Sequence, residues 1–327
     1  MHILITGAAG MIGRKLTGRL ATDGELHGRR IDKLTLLDVV PPAPASNFAG
    51  QTAMIAADLA TPGEAARAVE DRPDIIFHLA GVVSGEAELD FDKGYRVNLD
   101  GTRALLEAIR ATGDGYRPRL VYTSSIAVFG APFPDTIPDD FHLTPLTSYG
   151  AQKAIGETLL ADYTRRGFCD GVGIRLPSIV VRPGKPNKAA SGFFSGIIRE
   201  PLAGLEAALP VPETVVHTHA SPRAAIGFLM HAAGLARDAL RARINLSMPG
   251  VCCTVAEQIA ALQRIAGKRV VARIRREHDP LVARIVDGWP QRIEARRARE
   301  LGFKAESSFD EIVRIHIDED RGGTFVD

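Results

Sequence analysis

A strand that runs straight into three spaced glycines constrains this chain more than any other feature. Residues 2–6 read as a short buried strand, and Gly7, Gly10 and Gly13 follow at once. Over 11–21, Ile12, Leu16 and Leu20 recur on one side at helical spacing. Strand, glycine turn and helix, in that order, are the context a dinucleotide-binding turn requires. Gly7 permits the tight turn, Gly10 lets backbone approach a pyrophosphate, and Gly13 lets helix and strand pack closely. Met11 and Ile12 then open a helix whose free N–H groups and positive dipole end attract phosphate.

The strands that follow extend this reading. Residues 33–37 form the second strand, ending in Asp38, with 24–30 read as an extra loop. A carboxylate there accepts hydrogen bonds from both ribose hydroxyls and repels a 2′-phosphate, which favours NAD over NADP. Val39 and Val40 offer no cation to reverse that choice, although a solvated loop Asp is the plain alternative. A third strand at 53–57 ends in Asp58 and Leu59, placed for the adenine edge. A fourth at 75–79 ends in Leu79, Ala80 and Gly81, small enough to pass a flat ligand closely. His78, inside that apolar strand, reads as a satisfied core histidine. Residues 91–112 read as one helix. It carries Asn98, which either holds backbone or water near the site or serves as an ordinary cap or surface residue. The fifth strand, 120–123, leads into Ser124 and Ser125 at its carboxyl end, where open α/β sheets bind ligands.

Tyr149 and Lys153 stand four residues apart, so on a helix they share one face. A free phenol, with a pKa of ~10, is a poor base at neutral pH. An ammonium one turn away favours phenolate and moves it toward the working range. Such a Tyr takes a proton from a hydroxyl as hydride leaves the carbon. Ser125 can donate a hydrogen bond to the same oxygen. Thr147 or Ser148 would cap the helix. An ordinary surface Tyr and Lys is the plain alternative for the pair taken alone.

The bulk numbers are compatible with this and exclude other classes. The 327 residues suffice for one large α/β domain with a smaller lobe. A net charge of +1 gives no excess to draw nucleic acid or an anionic membrane. Cys169, Cys252 and Cys253 are too few and scattered for a disulfide framework or a metal site. No apolar run approaches the ~18 residues of a membrane span, and the start runs into a strand rather than a leader. A reducing cytoplasm is the expected compartment. Further on, 172–175 reads as a strand, 193–199 as a helical piece and 244–246 as a strand. Residues 255–265 read as a helix and 270–274 as a strand, and 281–313 as largely helical and charged. The Arg296, Arg297 and Arg299 run reads as a solvated helix face.

Taken together, these residues resemble the extended short-chain dehydrogenase/reductase family of NAD-dependent nucleotide-sugar epimerases, dehydratases and related dehydrogenases. The likeness is carried by Thr6-Gly7-x-x-Gly10-x-x-Gly13, Asp58-Leu59, Ala80-Gly81, Asn98, Ser124-Ser125 and Tyr149-x-x-x-Lys153. Residues 298–303 are similar to that family's C-terminal segment. The resemblance implies a Rossmann-type, doubly wound parallel sheet over 1–176. A smaller substrate lobe over 177–327 would have segments returning to the core. It implies Ser125, Tyr149 and Lys153 as the catalytic set, with Lys153 also holding the nicotinamide ribose. Pro177 and Ser178 match the turn that faces the nicotinamide ring. It also implies a homodimer paired through helices at 98–112 and 149–166.

Two departures bear on the substrate. Nucleotide-sugar members carry an Arg that grips a phosphate, and the matching stretch, 215–222, reads Val-Val-His-Thr-His-Ala-Ser-Pro. Phe129 also replaces a usual Tyr. Losing a charge-assisted contact removes ~1.5–3 kcal/mol of recognition, which argues for a substrate without a nucleotide. Residues 182–187 and 190–196 resemble the branch of the family that oxidises the C2 hydroxyl of a four-carbon sugar acid with NAD. Ser84, Ser125, Tyr149, Ser178, Arg182, Asn187 and Ser191 are the candidate substrate contacts, with Arg182 equally fit for a structural ion pair. A nucleotide-sugar epimerase with tightly held NAD, and a redox-sensing module that kept the fold, are the competing functions.

Overall fold

The computed structural model describes residues 1–184 and 191–327. The chain divides into two compact units. One comprises Met1–Val128, Thr147–Arg175 and Ile226–Leu246, and the other Phe129–Leu146, Leu176–Ala225 and Ser247–Asp327.

The first unit is built on a seven-stranded sheet. Its order is Asn245–Ser247, Asp170–Leu176, Arg119–Ser125, Ile75–His78, His2–Thr6, Lys33–Asp38 and Gln51–Ala56. His2–Thr6 sits centrally and pairs in parallel with both Lys33–Asp38 and Ile75–His78. Its successive side chains point to opposite faces, and Ile3, Leu4 and Ile5 are all fully buried, so both faces are covered. Apolar runs rather than alternation follow from that double covering. The extra residues after the first helix form a ribbon, Glu25–Leu26 paired with Arg29–Arg30, where a loop was expected. His27 and Gly28 both have positive φ, the backbone that a two-residue hairpin turn demands. The expected helix at 91–112 is present but changes pitch. Phe91–Gly94 and Gly101–Thr112 are α-helical, and Tyr95–Asp100 between them is a π-helix.

The second unit has a three-stranded sheet in which Val216–Ala220 lies between Ser178–Ile179 and Val251–Thr254. A separate pair joins Ala207–Leu209 to Ile274–Arg276. Phe194, Ile197, Ile198, Leu262, Ile312 and Val313 belong to its apolar core. Several expectations are corrected here. Residues 270–274 are not a strand: Lys268–Val271 is a short helix, and the strand starts at Ile274. Gly267, at φ +86°, ends the preceding helix and resets the chain. About half of residues 281–313 is helical, in three pieces rather than one: Pro280–Asp287, Arg296–Glu300 and the start of Phe309–Asp320 are separated by irregular backbone. Within that backbone Ile293 forms a bridge to Ile137. The helix Pro222–Gly234 had no counterpart in the sequence reading. Pro222 opens it, where its missing N–H costs nothing, and Ser221 Oγ accepts from the Ala224 amide at 3.0 Å.

Candidate functional site

The glycine turn leaves no room for side chains. Gly7 has φ +74°, and a methyl group on it would meet the Ala80 nitrogen and the Leu79 carbonyl carbon at 2.7 Å. A methyl on Gly13 would lie 2.2 Å from the Gly7 oxygen. Gly10 caps the helix Met11–Asp23 with extended backbone and no side-chain cap. The helix N-terminus is therefore left clear of side chains for a phosphate. Asp38 ends its strand, and its Oδ2 accepts from the Ala9 amide at 2.9 Å, while Oδ1 accepts from Val40 at 3.3 Å. The carboxylate is thus tied to the turn. A cradle that a Cβ would fill, a bare helix end and an acidic group beside it fit NAD.

Asp58 forms an ion pair with Arg96 and accepts from the Ala60 amide at 2.9 Å, next to the buried Leu59. Met11 and Ile12 are half-buried in the first helical turn, as is Ser84 at the start of Ser84–Leu89. Asn98 lies in the π-helix and is buried. Its Oδ1 accepts from the Val82 amide at 2.8 Å, and its Nδ2 donates to Gln152 Oε1 at 2.7 Å. It therefore braces the chain just after Gly81 against the Tyr149 helix. A methyl on Gly81 would lie 2.9 Å from Asn98 Oδ1 and 3.6 Å from Lys153 Nζ. Four predicted residues, Ala80, Gly81, Asn98 and Lys153, thus gather at one strand end.

Tyr149 and Lys153 lie in the first two turns of Ser148–Arg165. The expected cap is Thr147, whose Oγ1 accepts from the Gly150 amide at 3.0 Å. Lys153 Nζ donates to the Thr123 carbonyl at 2.8 Å and lies 5.8 Å from the Tyr149 ring centre and 5.0 Å from that of Tyr122. Burial pulls Lys153 down to about 8, and the Glu157 carboxylate opposes that fall. Ser125 ends its strand, and its Oγ accepts from the Ala127 amide at 3.1 Å. That bond uses an oxygen lone pair and not the hydroxyl proton.

One group of residues escaped the sequence reading. Glu157 is 1% exposed and takes both Nε and Nη2 of Arg175, at 2.9 and 2.7 Å. Ser124 Oγ donates to the same carboxylate at 2.6 Å, so the hydroxyl of this predicted cofactor contact is already engaged. Tyr149, Lys153 and Glu157 are spaced four by four on one helix face. An acidic residue on a face otherwise turned inward was the available signal. His78 is a core histidine, bonded to Thr6 Oγ1 at 2.7 Å and Thr102 Oγ1 at 2.9 Å. Burial, and then the charge of Lys153, pushes it down to about 3.

The remaining candidates belong to the second unit. Pro177 is buried, and Ser178 Oγ pairs with His217 Nε2 at 2.8 Å. Arg182 donates to Ser191 Oγ at 2.8 Å and to the Ile179 carbonyl at 3.0 Å, so these two substrate candidates hold one another. Asn187 lies outside the described residues. Phe129 is buried edge-on to Phe141. Arg296 and Arg299 are exposed and Arg297 is half-buried, its amide donating to Asp139 at 2.9 Å. Among the described residues no group of His, Cys, Asp and Glu is placed to hold a metal, and no helix is long and apolar enough to cross a membrane.

Comparison with known proteins agrees with this geometry. Two D-erythronate dehydrogenases match almost end to end. The one from Cupriavidus necator is 47% identical, with 98% of each chain covered. The one from Haemophilus influenzae is 39% identical over 98% of this chain and 100% of its own. A crystal structure described as the nucleoside-diphosphate-sugar epimerase from Agrobacterium tumefaciens superposes with a TM-score of 0.97. It is 62% identical, covering 99% of this chain and 95% of that one. Residues 3–223 match the profile of one family throughout, from the first strand to the helix opened by Pro222, and the chain belongs to the NAD dependent epimerase/dehydratase family.

Proposed function

We propose that this protein is an NAD-dependent dehydrogenase that oxidises the C2 hydroxyl of D-erythronate to 2-dehydro-D-erythronate. The observation that carries the reading is the near-complete match, at 47% identity, to a D-erythronate dehydrogenase, in a chain that keeps Ser125, Tyr149 and Lys153. Bound NAD supplies the hydride acceptor for the C2 hydrogen. Tyr149, as phenolate, takes the hydroxyl proton, so that an alcohol becomes a ketone and one hydride and one proton leave it. Ser125 donates its spare proton to the same oxygen and aligns it. Lys153, buried beside the Tyr149 ring, favours the phenolate and presents N–H groups to the nicotinamide ribose. Gly7, Gly10 and Gly13 would leave space for the pyrophosphate, and Asp38 would accept from the ribose hydroxyls. Arg182 and Ser191, fixed on one another, are offered with Ser178 as the substrate-binding group. The test is absorbance of NADH on mixing purified protein, NAD and a panel of three- to six-carbon sugar acids. D-erythronate is expected to give the highest kcat/KM, and no NADH with any sugar acid would remove the proposal.

The description of the Agrobacterium structure favours a second reading, a nucleotide-sugar epimerase. Against it, the stretch 215–222, which matches the segment where such enzymes carry a phosphate-gripping Arg, holds no Arg or Lys. An epimerase retains its cofactor and consumes none, so stoichiometric NADH formation separates the two. The same reading includes a homodimer. Exposed apolar positions, Phe91 at 56% and Ile155 at 39%, support it, and sedimentation mass tests it. A reducing cytoplasm goes with it, supported by the free thiols of Cys169, Cys252 and Cys253.

A further inference from the structure

His217 and Ser178 form a directed pair within the second unit. His217 is 3% exposed, its ring lies parallel to Phe194 at 5.3 Å and 5°, and Trp289 sits 5.7 Å away. Stacking on that scale fixes the ring plane. Nε2 lies 2.8 Å from Ser178 Oγ. The ring also hydrogen-bonds the backbone of Pro290. Proline has no backbone N–H, so this partner is the carbonyl and the imidazole must be the donor. Burial lowers His217 to about 4, so at neutral pH the ring carries one proton, and Pro290 holds it through Nδ1. Nε2 is then a bare acceptor. The Ser178 hydroxyl has one proton, and that proton must go to Nε2. What remains on the half-buried Ser178 oxygen is lone pairs alone.

We propose that His217 is a positioning residue that makes Ser178 an obligate hydrogen-bond acceptor, so that Ser178 recognises an O–H or N–H of the bound ligands and discriminates against carboxylate oxygen. The inference rests on the reading that Ser178 belongs to the ligand-binding group, and it deepens that reading. An ionised carboxylate only accepts, so the acid group of the substrate is held elsewhere, and Ser178 meets a neutral donor. Two donors have this chemistry, a substrate hydroxyl away from C2 and the carboxamide N–H of the nicotinamide. His217 differs in this from an ordinary core histidine such as His78, whose two ring nitrogens both end on threonine hydroxyls inside the fold.

The experiment compares Ser178→Ala and His217→Phe with the native protein, using D-erythronate, its 3-deoxy and 4-deoxy analogues, and the 3-acetylpyridine analogue of NAD. That analogue carries methyl where the carboxamide has NH2. With the natural pair, Ser178→Ala is expected to lower kcat/KM about fivefold to tenfold, mostly through KM, as loss of one neutral hydrogen bond does. His217→Phe lowers it similarly, and Ser178→Thr, which keeps the acceptor, restores it. The cost disappears with whichever analogue lacks the donor, because a contact already lost cannot be lost twice. Disappearance with the acetylpyridine analogue identifies the carboxamide, and with a deoxy acid the corresponding hydroxyl. An equal cost with every analogue, or no cost with the natural pair, overturns the proposal. Should His217→Phe fail to fold, His217→Leu takes its place in the same comparison. Failure of the native protein to reduce NAD with D-erythronate is a different result, striking the proposed function. The Ser178→Ala cycle is then read from binding of the two reduced cofactors.

Discussion

The two units place polar groups in their interiors by different rules. The first buries ions beside the neutral core histidine His78: Lys153, Glu157 and Arg175 are 4%, 1% and 7% exposed. The second buries imidazoles held uncharged, His217 and His219, both lowered by burial, with His217 aimed at Ser178 and His219 at Gln258. A proton-transfer centre needs a stable charge beside a phenol. Desolvation of an ion is costly, so the charge must be answered by an opposite one with well-formed hydrogen bonds. A recognition surface needs direction rather than charge, and a neutral ring with one donor and one acceptor supplies it. The contrast separates the two proposed roles: buried charge stands beside the proposed proton-transfer group in one unit, and a buried neutral ring stands beside a proposed ligand contact in the other.

The largest effect expected is chemical. Tyr149→Phe removes the proposed base and leaves the ring, so kcat is expected to fall about 10²–10⁴-fold while NAD binding holds. NADH absorbance and cofactor titration check this, and retained turnover would take the first unit's charge out of the mechanism.

Next comes the ion network. Arg175→Met leaves Glu157 buried without its guanidinium, a loss of about 3–5 kcal/mol in urea unfolding. A loss below 1 kcal/mol would show that Ser124 alone satisfies the carboxylate, and the contrast between units would weaken.

The third prediction concerns pH and spans both units. Lys153 is held near 8 when folded and reverts toward 10.5 when unfolded. Between those values the unfolded chain binds more protons, so stability rises with pH across that window, by at most about 3 kcal/mol. Lys153→Met is expected to lack that slope. His217, near 4 when folded against 6.5, gives the same sign between pH 4 and 6.5, and His217→Phe removes that rise. Denaturant unfolding at a series of pH values separates the two windows.

The smallest effect lies in the second unit. Thr254 and Glu257 form a reciprocal cap, with Glu257 N to Thr254 Oγ1 at 3.1 Å and Thr254 N to Glu257 Oε2 at 2.7 Å. Thr254→Ala is expected to cost about 1 kcal/mol by thermal unfolding and leave NAD affinity unchanged.

The pattern of what could be read from the sequence follows the range of the forces involved. The glycine turn and the Tyr149–Lys153 pair were legible because each is a local rule, a φ sign or a helical spacing. Asp38 was legible as a strand end but not as a residue bound to Ala9, since that bond joins a strand end to the glycine turn of another segment. Glu157 was half legible. Its place on the inward face of the helix follows from spacing, while Ser124 and Arg175 arrive from separate strands. The hairpin at Glu25–Arg30 was hidden in a segment too short and polar to show a period. The second unit was read poorly for the same reason, because its strands are two to five residues long and gain stability only from partners distant in the chain.

The amino-acid order by itself determined the parallel sheet, the dinucleotide turn and the phenol–ammonium pair, because glycine conformation and helical periodicity act between neighbours. Only the tertiary structure decided that Lys153 is buried against Thr123, that Glu157 is locked by Arg175 and Ser124, and that His217 pairs with the Ser178 hydroxyl. Those outcomes depend on desolvation and hydrogen-bond direction, which come into being when segments far apart in the chain exclude water together.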